Sequence, residues 1–356
     1  MKNKVEKLLK PLAQPAFAIL ISLFFGGIVI AIAGENPFEI YKIMLNGAFG
    51  NQYYWLTTLN RATPIIICGL GAALAWSSNY MGIGGEGQMI WGGFICSVTC
   101  LYTPGPWWVK ALVALVCSVV VGGLYSAFSA WLLDKFEMSL AISTLMLNYL
   151  AQYVTMHYVA NVFLDKTGDK KMVQTQMIDQ ALRLPKVIEG YPLHWGFIAA
   201  VALVGIMWFV SNKTTFGYET KMTGFNIDFC NYGGVKGKKI MYLVLFLSGA
   251  ICALAGVSEV MGSQYRYIHN SYVSTSYAWV GLNAALISNY NPVGVLITSI
   301  ILAGIQTGGA AIARGTSIPI EISSVIQGCV TLFISAKIVI NFSKKHKKSK
   351  SREVEK

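Results

Sequence analysis

Between Arg61 and Lys110 the sequence carries one charged residue, Glu86. It sits in Asn79-Tyr80-Met81-Gly82-Ile83-Gly84-Gly85-Glu86-Gly87-Gln88, between the apolar runs 62–77 and 89–101. A lone carboxylate in so apolar a stretch is costly in lipid, so it must face protein or a water-filled cavity. The four surrounding glycines suit irregular backbone better than an unbroken helix. Irregular backbone is tolerated at membrane depth only where protein or a cavity covers it. The stretch is expected to break two membrane helices beside a polar path. Glu86 and Gln88 then either touch a passing solute or lock the break. Gly82-x-Gly84-x-x-Gly87 also fits the dinucleotide fingerprint by letters, but a preceding strand and an acid about 20 residues later are missing.

Other polar groups recur within apolar runs: Asn148 and Tyr149, Glu259, Asn283, Gln306, Glu321 and Gln327. Interhelical hydrogen bonding is their ordinary use. A second use is contact with a solute, for which Glu86, Gln88, Asn148, Tyr149, Asn283 and Gln306 are the candidates. Catalysis has little to stand on. The four histidines, His157, His194, His269 and His346, are scattered, and neither a Ser-His-Asp arrangement nor a metal-ligand spacing is found. Six of the seven cysteines lie in apolar runs and read as small buried side chains. Gly237-Lys238-Lys239 is no phosphate loop, since Tyr232 stands where its first glycine belongs.

These residues must be held by membrane helices. The 356-residue chain is 54% hydrophobic and 12% charged, where soluble domains carry about 25% charged residues. An all-α polytopic membrane protein is expected, with about ten spans: 15–33, 62–78, 83–102, 107–133, 139–163, 193–210, 240–262, 276–289, 292–313 and 318–340. Pro64, Pro292 and Pro319 are expected in first turns, where a missing N–H costs nothing. The basic N-terminus could precede a cleaved signal ending at Ala31-Ile32-Ala33, but the apolar run is long enough to span and reads as an uncleaved first helix. With the N-terminus inside, the inner segments hold 18 of the 28 Lys and Arg residues, and both termini are cytoplasmic. The organisation is then a basic N-terminus (1–14), a membrane domain (15–341) and a basic tail (342–356) whose lysines meet anionic lipid, not nucleic acid. An even count around one central loop allows spans 2–5 to pair with spans 7–10 as an inverted repeat.

That central loop, 211–239, is the longest on the inner side. Asn226 can cap a short helix over 227–232, and Gly233-Gly234 can end it. Phe225, Phe229 and Tyr232 cluster there. So short a helix has no core of its own. It lies either on lipid headgroups, helped by Lys221, Lys236, Lys238 and Lys239, or in a groove on a partner.

From Thr57 to Lys337 the chain resembles the permease subunits of bacterial ABC importers, specifically the nucleoside branch of the ribose/nucleoside group. The matching blocks are 79–88, Ile142-Ser143-Thr144-Leu145-Met146-Leu147-Asn148-Tyr149, Asn291-Pro292-Val293-Gly294-Val295 and Ile326-Gln327-Gly328. The loop from Phe216 to Val235 is similar to the family's ATPase-coupling segment. On that likeness Tyr218, Lys221, Gly224, Asn226, Asp228, Phe229 and Tyr232 are the docking residues, although Lys221, Met222, Phe229 and Cys230 depart from its usual letters. The resemblance implies a multi-pass subunit of the bacterial inner membrane that imports a nucleoside, or a simple sugar such as ribose. It implies no ATPase site and no bound cofactor in this chain. ATP would be used by a separate cytoplasmic subunit, beside a second permease, identical or homologous, and an extracytoplasmic solute-binding protein. The alternative is an ion-coupled secondary transporter with Glu86 or Glu259 as its proton site.

Overall fold

A computed structural model of the chain describes residues 24–28, 30–31, 35–166, 172–315, 325 and 328. Among these residues every regular element is a helix. They are α1 (Pro37–Phe49), α2 (Gln52–Ser77), α3 (Gly85–Tyr102), α4 (Trp107–Phe136), α5 (Leu140–Asn161), α6 (Gly196–Lys213), α7 (Thr215–Phe225), α8 (Ile227–Tyr232), α9 (Gly237–Glu259), α10 (Ser271–Thr275), α11 (Tyr277–Ile287) and α12 (Pro292–Gly315). A π turn, Val260–Gln264, continues α9. Two compact units divide the chain, one of residues 1–58 and 301–356 and one of residues 59–300.

Among the described residues, five helices are long and apolar enough to cross a bilayer: α2, α4, α6, α9 with its π turn, and α12. The eighth expected span is the 11-residue α11, about 16 Å long and too short to cross. Most of the first expected span and nearly all of the tenth, with Pro319, Glu321 and Gln327, lie outside the described residues. Pro292 opens α12 as expected, but Pro64 lies inside α2, which begins ten residues before Ala62. The early turns hold Tyr53, Tyr54, Trp55 and Arg61, which lay outside the expected span 62–78. Tyr53 and Trp55 are exposed, as suits aromatic residues of a helix leaving the bilayer. The helix α1 was not expected. Asn36 caps it, its Oδ1 accepting from the Phe38 N–H at 3.1 Å, and Ile40, Met44, Gly47 and Ala48 form its buried stripe.

In the first unit, α1 lies on the end of α12 through small residues: Gly47 faces Ala311, and Gly308 faces Met44. In the second, α9 is the hub, packed along α3 and α4. Its glycines make this possible. A Cβ on Gly256 would clash with the Met89 carbonyl oxygen, and one on Gly92 with the Ala253 carbonyl oxygen. Close backbone approach of this kind drives helix association in lipid. The apolar window of α9 is 72% buried, those of α4 and α6 only 28% and 22%, so the latter two present their sides to surroundings such as lipid.

The segment between α5 and α6 folds back over the end of α9. Ile178 and Leu182 join Cys96, Cys100, Val257 and Val260 in one cluster, and Leu184 N donates to Met261 O at 2.8 Å. His194, fully buried, closes this end. Its Nδ1 accepts from the Gly196 N–H at 3.0 Å, so the neutral ring carries its proton on Nε2, 3.4 Å from Ser263 Oγ. Burial pushes its pKa down from 6.5 to about 4. Between those values the unfolded chain takes up a proton that the folded one does not, so the contribution is complete above pH 6.5 and falls away as the pH drops toward 4. Thermal unfolding in detergent should show the unaltered protein losing about 2 kcal/mol more than His194→Gln between pH 7.5 and pH 5. Parallel pH profiles for the two proteins would refute this.

Candidate functional site

The Gly-rich stretch is a helix break, as expected. α2 ends at Ser77, Asn79 takes φ 63°, and α3 starts at Gly85. Gly84, at the N-cap, makes no side-chain cap, so the first N–H groups of α3 need partners from elsewhere. One face of α5 supplies them. Asn148 Oδ1 accepts from the Gly87 N–H at 2.9 Å, and Asn148 Nδ2 donates to Ile83 O at 2.9 Å. Thr144 Oγ1 accepts from the Ile83 N–H at 2.9 Å. One turn after Asn148, Gln152 Nε2 donates to Glu86 Oε1 at 2.7 Å. The other carboxylate oxygen, Oε2, accepts from Trp279 Nε1 of α11 at 2.6 Å. Glu86 is 6% exposed.

Glu86 therefore clasps α3, α5 and α11 together through two strong charge-assisted bonds. The arrangement favours locking the break over offering a free carboxylate to a solute. Gln88 is buried and lines a cavity of about 20 Å³ with Gly82, Gly84, Ser126, Thr144 and Ser248. That is room for about one water, whereas sites for small molecules measure about 300–1,000 Å³. This cavity is too small for a solute in this conformation.

Among the other candidates of this unit, Tyr149 turns away from this break. Asn148 is buried, while its neighbour Tyr149 is 50% exposed, because successive residues on a helix point about 100° apart. Tyr149 lies with Met146, Tyr153 and Met156 on the outward face of α5. That face differs chemically from the exposed side of α4, which shows Leu112, Leu115, Val116, Val120 and Leu124. Asn283 is half-buried on α11, one turn past Trp279. Gln306, on α12, belongs to the first unit. Thr144, Gln152 and Trp279 were not anticipated. The spacing Thr144, Asn148, Gln152, one residue per turn, was a readable signal; Trp279 gave none.

At the central loop the expected helix is present with the expected ends. Asn226 Oδ1 accepts from the Phe229 N–H at 3.0 Å to start α8, and Gly233 with Gly234, at φ 84°, ends it. Asp228 occupies its first turn, where a negative charge suits the helix dipole. Tyr218, Phe225, Phe229 and Tyr232 are exposed, Tyr232 by 94%. Lys221 turns inward instead: its Nζ donates to Ser211 O at 2.8 Å and Asn212 Oδ1 at 3.2 Å, tying α7 to the end of α6. Gly224 presses on the start of the helix break, where an added Cβ would lie 2.6 Å from Ser77 O. The exposed aromatic patch is thus one helix away from the stretch that carries Glu86.

Residues 54–335 match the family described as branched-chain amino acid transport system / permease component. The chain is 28% identical to the guanosine ABC transporter permease protein NupP of Bacillus subtilis, over 94% of this chain and 96% of that one. It is 27% identical to the nucleoside ABC transporter permease protein NupB of Lactococcus lactis, over 96% and 94% respectively. A third relative is the glucose ABC transporter permease protein TsgB13 of Haloferax volcanii, 26% identical over 90% and 86%.

Proposed function

The chain belongs to the family of branched-chain amino acid transport system permease components, a multi-pass membrane transport subunit, and from this we propose that it moves a nucleoside, or a related ribose-containing solute, into the cell on ATP hydrolysed by a separate subunit. A binding protein delivers the solute outside, and a second permease, identical or similar, completes the path. The observation that carries the reading is mechanical. The exposed aromatic helix α8 is joined to α7, and α7 rests through Gly224 on the backbone of Ser77 and Ser78 at the helix break. A push on Phe229 and Tyr232 from an ATPase groove would reach the segment 79–84 and the Glu86 clasp.

The solute class draws on two supports. The named solutes of the three relatives, guanosine, nucleosides and glucose, all present neighbouring hydroxyls. The outward face of α5 offers Tyr149 and Tyr153 between Met146 and Met156, a surface on which a base can stack. The ion-coupled alternative is weakened at Glu86, whose two oxygens both accept bonds from protein.

The test is uptake of labelled guanosine and uridine into vesicles holding the permease, its ATPase and its binding protein. Uptake should need ATP and both partners. Uptake that ignores ATP, or that stops when ion gradients collapse while ATP stays high, refutes the proposal. Phe229→Ala with Tyr232→Ala should weaken ATPase attachment by about tenfold or more, as loss of central aromatic anchors does. Co-purification of the ATPase at undiminished yield would show that α8 is not the docking helix.

A further inference from the structure

A second polar centre lies at the other end of the 59–300 unit, around the π turn. Glu259, in the last turn of α9, is 3% exposed. Its Oε2 accepts from Gln264 Nε2 at 3.3 Å, and that nitrogen also donates to Ser271 Oγ at 2.7 Å. The Ser263 hydroxyl accepts from Asn60 Nδ2 at 3.3 Å. Arg61 is near enough for its charge to act on both Glu259 and Tyr277, yet it forms no ion pair with a described carboxylate. Three polar atoms here, Asn60 Oδ1, Gln264 Oε1 and the Tyr272 hydroxyl, are buried without a hydrogen-bond partner among the described residues. Exchanging amide O and N on either side chain would only orphan a nitrogen instead.

Folded proteins keep few such atoms, and each calls for an explanation. Here they gather beside a carboxylate and a guanidinium that do not touch. His194 is neutral in the tautomer its bonds require. A hydroxyl group both donates and accepts. A pair of neighbouring hydroxyls can donate to two of the three acceptors, the Glu259 carboxyl, Asn60 Oδ1 and Gln264 Oε1, and accept from Arg61 and the Tyr272 O–H. The irregular π turn, a feature common at functional sites, is the element whose movement would part these groups.

We infer that Asn60, Arg61, Glu259, Gln264 and Tyr272 form a contact site for the sugar hydroxyls of an uncharged solute, distinct from the Glu86 clasp. The site takes its solute class from the importer reading above.

The experiment follows thermal unfolding of the purified full-length protein with millimolar uridine, ribose or leucine. Uridine and ribose should raise the unfolding midpoint by a few degrees and leucine should not. Glu259→Gln and Asn60→Ala should each lose that rise, and Asn60→Ala decides the matter if the Glu259 variant does not fold. A rise kept in the folded variants, no rise with either sugar-bearing solute, or a rise with leucine alone overturns the site. If the rise behaves as expected but vesicles show no ATP-driven uptake, the importer reading fails and the site stands.

Discussion

Gly256→Leu should abolish accumulation of folded protein. Gly256 faces α3 with no space for a side chain: a Cβ there would clash with the Met89 carbonyl oxygen and the Gly93 nitrogen. From the other side, Gly92 meets the Ala253 carbonyl, and on α4 Gly122 meets the Ala253 side chain. Overpacking usually costs about 1–3 kcal/mol when side chains can give way. Here the obstructing atoms belong to helix backbone, which cannot rotate aside, so about 3 kcal/mol or more is expected. That is a large share of the about 5–15 kcal/mol that holds a domain folded. Gly205, on α6, has nothing within 4 Å of an added Cβ, so Gly205→Leu serves as the control and should behave as the unaltered protein. Size-exclusion profiles in detergent would decide between them. A monodisperse Gly256→Leu protein with an unchanged midpoint would show that α3 and α9 are not packed as described.

The second large effect is expected at Glu86. Glu86→Ala removes the one acceptor shared by Gln152 and Trp279. Breaking a buried, hydrogen-bonded charged site by deleting one member costs about 3–5 kcal/mol, and the half-exposed Trp279 should place this case near the lower figure. Uptake should fall by tenfold or more, since about 1.4 kcal/mol is already a factor of ten. Glu86→Gln keeps one acceptor oxygen but sets an NH2 group against a donor, and should fall between. A double-mutant cycle of Glu86→Ala with Trp279→Phe separates the clasp from a solute contact. The clasp requires a coupling energy of about 1 kcal/mol or more. Strict additivity would mean that the carboxylate acts on something other than these helices.

The parts of this molecule that could be read from its sequence are those decided by neighbours in the chain. Asn226 and the pair Gly233-Gly234 mark both ends of α8 because capping is a matter of three or four residues. Glu86 announced itself by being the one charge in a long apolar stretch. Its partners did not, since Gln152 and Trp279 stand 66 and 193 residues away and nothing local points to them. Tyr149 was grouped with Asn148 by adjacency, although helix geometry already separates their faces. Gln306 was named with Glu86 by residue type, and its place is described only within the first unit. The first turns of α2 were left out of the expected span for a different reason. Tyr, Trp, Thr and Asn suit a loop and the wet end of a membrane helix equally well, and Pro64 sits within this helix although it cannot donate to the ladder.

The seat of Gly224 on Ser77 and Ser78 is made of main-chain atoms. Such a joint has no rotamers, so it has no play: a displacement entering at α8 cannot be absorbed by a side chain swinging aside. It also asks little of spelling. Whatever amino acids drift in at 77 and 78, the amide groups remain, and only bulk at 224 would spoil the fit. A transmission of this sort can persist while the surfaces at its two ends are rewritten for new fuels and new cargoes.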